Sequence, residues 1–397
     1  MDETGIAFRK LMDNARDSSI DINEVDSLEE LYNKKKVELG LSDRRIQKLL
    51  GLDAKTLKPI LDGTAKQVNV INMIKLAHFI GLSLDDTIKV NVGKMSGEQI
   101  KEIQRARDAS FIAEYFDIPD LIGEEFFTSK MDTSAMRDKI IRFFELDSLY
   151  DYKEKFIKVA FSKTKRSASE KMRNFWVVSA LSQFEKVNNP FSYNREKTID
   201  VVTKIKALTR NEEHGLSLII KALYRTGVTV IYQKSISKLQ VRGASMIVNG
   251  KPCIVLSNFK NYYPTLWFAL LHELYHVLFE FDVLLGSSYH LSTKVENTIW
   301  FNEEKADHFA NEYLIKEEYF KYVSAYISSR FQIKEFAEKL MIHESIIYSL
   351  YCYRTNEWAK YQKFIPKMEK ALEPINIHQF ENESITVATN ELIKYFE

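Results

Sequence analysis

Apolar residues recur at three- and four-residue spacing along most of the chain, which predicts helices nearly throughout and strands in one window only. Leu41 to Gly51 predicts a short helix started by Ser42 or Asp43 and ended by glycine, and a second runs from an N-cap at Asp53 to about Leu61, with Gly63 as its stop. Residues 70 to 80 predict an apolar helix ending at Gly81, and residues 84 to 90 begin another. Helical patterns continue from Gly97 to Phe116, Met136 to Phe144 and Tyr150 to Phe161, read together as a helical connector, since a loop of that length is improbable in a compact chain. Residues 170 to 186, 196 to 226 and everything from 316 onward are again helical. The exception is residues 228 to 257. There a β-branched run at 228–234 precedes two stretches, 240–248 and 252–257, that flank Asn249-Gly250, a strong two-residue hairpin signal. A small antiparallel sheet is expected, followed at once by an apolar helix over 264–286.

Composition narrows the class without naming a function. The chain has 397 residues, 45% apolar and 28% charged, enough for two or three soluble domains. The formal net charge is +1, so the chain as a whole advertises no affinity for nucleic acid or membrane. Two cysteines, Cys253 and Cys352, no C-x-x-C and no signal-peptide pattern point to a reducing cytoplasm. Residues 1 to 28 are polar and acidic and read as a tail, within which Ile6, Phe8, Leu11 and Met12 can form a short helix.

The chemistry concentrates in the apolar helix. His272-Glu273-Leu274-Tyr275-His276 places two histidines four apart, and therefore on one helix face, where they can share a zinc ion. Glu273 lies beside that face and can take a proton from water at the metal without ligating it. A membrane span is excluded for 264–286 because His272, Glu273, His276, Glu280 and Asp282 interrupt it. A catalytic zinc needs a third protein ligand and one open position. Residues 302 to 310, N-E-E-K-A-D-H-F-A, supply the ligand on a second helix: Glu303 is preferred, with Glu304, His308 and His290 as rivals. Asp307, four residues after Glu303, can accept the free ring N–H of a histidine ligand, and Ala306 and Ala310 belong to the apolar stripe. The competing account is a buried amphipathic helix with incidental histidines beside a solvated charged one. His343 and His378 have no partners at ligand spacing, and no phosphate-binding glycine loop, serine nucleophile motif or internal repeat is present.

The H-E-x-x-H with a downstream E-x-x-A-D-x-F-A resembles the ImmA/IrrE family of zinc peptidases, and Asn302-Glu303 also looks like the gluzincin pattern. The resemblance covers about residues 165 to 350 and includes the 227–232, 241–245 and 250–257 segments. Two departures are Tyr275, where the family usually has glycine, and Tyr313-Leu-Ile-Lys at the end of the second helix. The resemblance implies a zincin-like (gluzincin-type) α+β peptidase domain holding Zn2+ and cleaving a regulatory protein, a transcriptional repressor or an antitoxin, in a stress or phage response. Residues 336 to 351 resemble a terminal segment of large family members.

Residues 41 to 63 read as two short helices joined at a glycine turn, a helix-turn-helix that resembles the Xre repressor type with 53–61 as recognition helix. Lys55, Thr56 and Lys58 are then expected to face operator DNA, and Arg44, Arg45 and Lys48 to sit by phosphates. Eleven Lys or Arg against eight Asp or Glu over residues 29–90 is a weak electrostatic footprint. Pro59 inside the recognition helix is expected to shorten or kink it, at about 3 kcal/mol. A helical module that binds protein in place of DNA is the alternative.

The expected architecture is multidomain and mainly α: tail 1–28, helix-turn-helix bundle 29–92, connector 93–165, peptidase domain 166–320 and helical C-terminal region 321–397. A homodimer is left open. The readings that compete with a zinc endopeptidase are a DNA-binding, antitoxin-like regulator with a vestigial zinc site, and an adaptor that holds an extended peptide on its sheet edge.

Overall fold

A computed structural model describes residues 27–65, 67–82, 97–157, 168–236, 239–287, 289–292, 302–375, 380 and 383–396. Most of the acidic tail, the helix expected over 84–90, the end of the connector and His378 lie outside the described residues. The chain divides into two compact units, residues 1–107 and 108–397.

In the first unit α1 (Leu28–Glu38), α2 (Asp43–Leu50), α3 (Ala54–Asp62) and α4 (Val70–Ile80) share a core of Leu28, Tyr32, Ile46, Leu57, Ile60 and Leu76. The tail boundary expected at residue 28 is moved back, because Ser27 and Glu30 form a reciprocal capping box that starts α1, and Leu28 is fully buried. Ser42 occupies the N-cap position of α2 without a side-chain bond, while Asp43 turns back to Tyr32 and Lys36 of α1. Asp53 caps α3 as expected, accepting from the Thr56 amide at 2.7 Å, and Gly63 ends it. Pro59 does not shorten α3, which runs on to Asp62.

The second unit has one hydrophobic core that extends from Ile112 to Phe396. Residues 112–152 of the segment expected as a connector therefore contribute to this core. The end of α5 (Gly97–Tyr115), together with α6 (Ile118–Gly123), α7 (Thr133–Phe144) and α8 (Tyr152–Ile157), brings Phe116, Phe126, Phe143, Phe144 and Tyr152 around Phe175 of α9 (Ala168–Val187). Phe380 closes the same cluster, 5.4 Å from Phe175 between ring centroids. Aromatic rings dominate such a core through buried area and edge contacts. The expected boundary near 320 falls inside this shared interior, and the one near 165 lies outside the described residues.

Beyond α9 come α10 (Arg195–Val202), α11 (Gly215–Tyr224) and the strands β1 (Thr229–Tyr232), β2 (Gly243–Val248) and β3 (Lys251–Leu256). The β2–β3 hairpin turns at Asn249 and Gly250, both with positive φ (52° and 73°), the conformation of a primed two-residue turn. The sheet itself differs from the expectation. It is mixed, in the order β1-β3-β2-β4, with β1 parallel to β3 and β4 (His290–Ser292) antiparallel to β2. The chain passes β3's position on its way from β1 to β2, and β3 returns between them. All four residues of β1 are buried, which suits a parallel strand covered on both faces and leaves no open edge there for an added peptide.

The apolar run over 264–286 is two helices, α12 (Tyr263–Phe279) and α13 (Phe281–Gly286). Then follow α14 (Glu303–Leu314), α15 (Glu317–Ser324), α16 (Arg330–Leu340), α17 (Glu344–Thr355) and α18 (Ile385–Phe396). Among the described residues no helix is long and apolar enough to cross a membrane.

Candidate metal centre

The site is built on α12, which is buried along nearly its whole length, so polar side chains on it must find partners inside the protein. Its start is tied by the Tyr263 amide to Pro366 O, and its last carbonyls are capped by Arg195 Nε, 2.9 Å from Leu278 O, and by the Glu280 amide on His276 O. A cation at a helix C-terminus also suits the helix dipole.

α14 lies against α12 where Ala306 and Ala310 are fully buried, small enough to let the two backbones approach. Asn302 caps it, accepting from the Lys305 amide at 2.9 Å. Tyr275, the departure from the resembling pattern, stands off the ligand face and packs its ring on Phe309 of α14, 5.8 Å between centroids. It helps hold the two helices together.

Four donors converge: one ligand atom from each of His272, His276, His290 and Glu303, all within 4.8 Å of one another. His272 Nε2 is 3.3 Å from His276 Nε2 and 3.3 Å from Glu303 Oε2, and His276 Nε2 is 3.6 Å from Glu303 Oε1. Donors about 2.0 Å from a tetrahedral zinc stand roughly 3.3 Å apart, so these spacings fit such an ion. His290 Nε2 is closer to Glu303 Oε1, at 2.7 Å. Three imidazoles and one carboxylate suit a borderline divalent cation such as zinc. His290 was considered on sequence as a rival to Glu303, and the fold brings both in. β4 delivers it, because the β2–β4 register sets His290 opposite Ser245. Glu304 and His308 are exposed and not part of the group, and Cys253 and Cys352 are buried apart from it.

Carboxylates hold the imidazoles from behind. Asp307 Oδ1 lies 2.8 Å from His272 Nδ1, as the spacing on α14 led one to expect, and Glu280 Oε2 lies 2.6 Å from His276 Nδ1. Such partners fix the ring orientation and raise ligand basicity. Sequence reasoning missed the role of Glu280, although its position four residues after His276 was the available signal. Its other oxygen accepts the Asn302 amide at 3.1 Å, so one side chain orients a histidine and fixes the start of α14. Burial raises the Glu280 pKa, but the His276 contact, in bond and charge, outweighs it and leaves the carboxyl below its ordinary value. Burial likewise lowers the His272 pKa, yet bonds to Asp307 and Glu303 and the charge of Glu273 push it up to about 9. Glu303 shows the mirror image, held well below the usual carboxylate range by His272 and His290 against the cost of burial. The surroundings favour positive charge at this point.

Glu273 is fully buried and accepts a 2.7 Å hydrogen bond from Ser245 Oγ on β2. Gly243 makes this possible, because a Cβ there would stand 2.6 Å from Glu273 Oε1. The segment Val241-Arg-Gly-Ala-Ser245 thus has a local chemical meaning: glycine makes room for the carboxylate and serine holds it. His343 serves elsewhere, its side chain accepting the Ser345 amide at the N-cap of α17.

On the first unit Arg44, Arg45, Lys48, Lys55 and Lys58 are exposed and Thr56 is half-buried, so α2 and α3 do present these residues outward. Comparison of the chain with protein-family models, curated proteins and solved structures gives no match.

Proposed function

We propose that the protein is a zinc-dependent endopeptidase joined to a helix-turn-helix module. One observation carries the reading: His272, His276, His290 and Glu303 converge on a single point, with the buried carboxylate of Glu273 beside His272 and steadied by Ser245. A metal ion held there supplies Lewis acidity, polarising a peptide carbonyl and acidifying water. Glu273 takes the proton of the attacking water and returns it to the leaving amine. Ser245 aims that carboxylate, and Asp307 and Glu280 keep the two histidines of α12 in register as charge develops. The resemblance to ImmA/IrrE peptidases makes a repressor or antitoxin the expected substrate and the cytoplasm the expected place, with α2 and α3 addressing operator DNA.

Glu273→Gln tests this. The variant is expected to keep its zinc, by metal analysis, and to lose cleavage of candidate regulators encoded beside its gene. Cleavage at near the wild-type rate would remove Glu273 from the role of base.

A second reading is favoured by His290. Four protein ligands around zinc are the mark of a structural site, whereas catalytic sites keep one position open. In that reading the metal secures the fold of a DNA- or protein-binding regulator. For the peptidase, His290 must yield its position to substrate or water.

A further inference from the structure

Beside the metal centre lies a cavity of about 280 Å³ between α12, α14 and α17. Its wall begins with residues that support the metal ligands. Asp307, which holds His272, lines it, and so does Phe268, whose ring is 6.1 Å from that of His272. Arg242 lines it too, with its guanidinium over Phe268 at 5.6 Å and 3.8 Å from Asp307 Oδ1. The rest of the lining is chiefly apolar, with Leu314 and Ile346 among it, and it reaches the surface at Tyr353 and Arg354.

Two polar atoms on this wall are out of balance. Arg242 Nε and Thr265 Oγ1 are buried without a hydrogen-bond partner, and Thr265 as a whole is 6% exposed. An unsatisfied buried donor is costly, and a ligand oxygen within reach recovers that cost. An apolar hollow with a few convergent polar groups is the usual composition of a binding site, and this one falls just under the roughly 300 Å³ lower bound of small-molecule pockets. It has room for one large side chain and not for a whole peptide.

We propose that this cavity is the subsite that selects the substrate: it takes a large apolar side chain, of the leucine or phenylalanine class, next to the bond to be cleaved. Arg242 and Thr265 receive the main-chain carbonyl of that residue. The inference rests on the peptidase reading. It also gives α17, which carries no metal ligand, a part in specificity. Arg354, at the outer end, is already committed to Glu317 through contacts of 3.0 and 2.6 Å and serves as wall.

The test uses the full-length, zinc-loaded protein and two neutral probes, N-acetyl-L-phenylalanine amide and N-acetylglycine amide, with affinity read by calorimetry. The phenylalanine probe is expected to bind at least about tenfold more tightly, from burial of its ring. Ser349→Phe, which fills the cavity from α17, should abolish that difference while zinc content and circular dichroism stay at wild-type values; Asn311→Phe on α14 is the second filling variant should the first not fold. A digest of a mixed peptide library should show cleavage enriched beside leucine and phenylalanine, and the enrichment should fall in the filled variant. Equal affinity for the two probes, or discrimination that survives both filled cavities, overturns the subsite even if peptides are cleaved. Discrimination without cleavage of any peptide instead overturns the peptidase reading, and the proposal with it.

Discussion

At the metal centre the side chains that matter are buried and each is held by a second group: His272 by Asp307, His276 by Glu280, Glu273 by Ser245. On the surface of α2 and α3 the side chains of Arg44, Arg45, Lys48 and Lys58 are exposed and make no hydrogen bond or ion pair among the described residues. The first arrangement is costly to build and tolerates little change, because a buried polar group without its partner loses 1–3 kcal/mol or so. The second is cheap and tolerant, and surface substitutions usually move stability by less than about 0.5 kcal/mol. A function assigned to the first region is therefore testable through metal content and stability. One assigned to the second is testable only through a partner.

The largest effect is expected at the ligands. His276→Ala should reduce zinc from about one equivalent per chain to near none, whereas His290→Ala should keep about one equivalent, because three protein ligands remain and a catalytic site needs no more. Metal analysis after gel filtration decides it. Loss of zinc from both variants would assign the centre to structure. Next comes Gly243→Ala, which sets a methyl group against Glu273. It is expected to cost roughly 1–3 kcal/mol in urea unfolding and to abolish turnover with zinc retained. An active Gly243→Ala protein would show that the Glu273 carboxylate need not lie against β2.

These first two predictions depend on features of unequal visibility in the sequence. His272, Glu273, His276, Glu303 and Asp307 were legible because ligand spacing on a helix is a local geometric rule. His290 could only be weighed as a rival, since its place depends on the pairing of β4 with β2, a tertiary register that no local pattern encodes. Glu280 and Gly243 were overlooked because their meaning lies in what they touch. The same holds for the fold. Helices, the hairpin turn and the caps of α3 were readable from propensity. The parallel pairing of β1 with β3 and the joining of residues 112–152 to the α9 core were not, because both are decided by long-range burial.

Smaller effects probe exposed side chains, one set in each unit. If α2 and α3 bind DNA, Lys55→Ala with Lys58→Ala should lower the slope of log affinity against log salt by about 2 while leaving the melting temperature unchanged. Wild-type protein with no salt-dependent binding to its own promoter region would favour a protein partner. The smallest expected effect concerns Glu145, which is exposed yet multiply held. Its carboxylate binds Lys186 Nζ at 2.6 Å and accepts the Thr386 amide at 3.2 Å, joining the ends of α7, α9 and α18. Burial raises its pKa, but Lys186, Thr386 and Ser384 together bring it down to about 2. A carboxyl depressed in the folded state stabilises above its unfolded pKa, and that contribution drains away as pH falls from about 4.5 to about 2. The urea midpoints of wild type and Glu145→Gln should therefore differ near neutrality and converge only as pH falls to about 2. A gap that stays constant across that range would leave Glu145 a packing role only.

The donors of the metal centre come from three successive elements, α12, β4 and α14, between residues 272 and 303. A cation held by them ties those elements as a cross-link would, but one that can be withdrawn. Ordering the intervening chain costs entropy that the bound ion offsets, and a ligand present at a thousand times its dissociation constant adds about 4 kcal/mol to the folded state. If the ion is zinc, the lifetime of the folded chain is expected to follow the free zinc level, and withdrawal of the metal to open the protein itself to proteolysis.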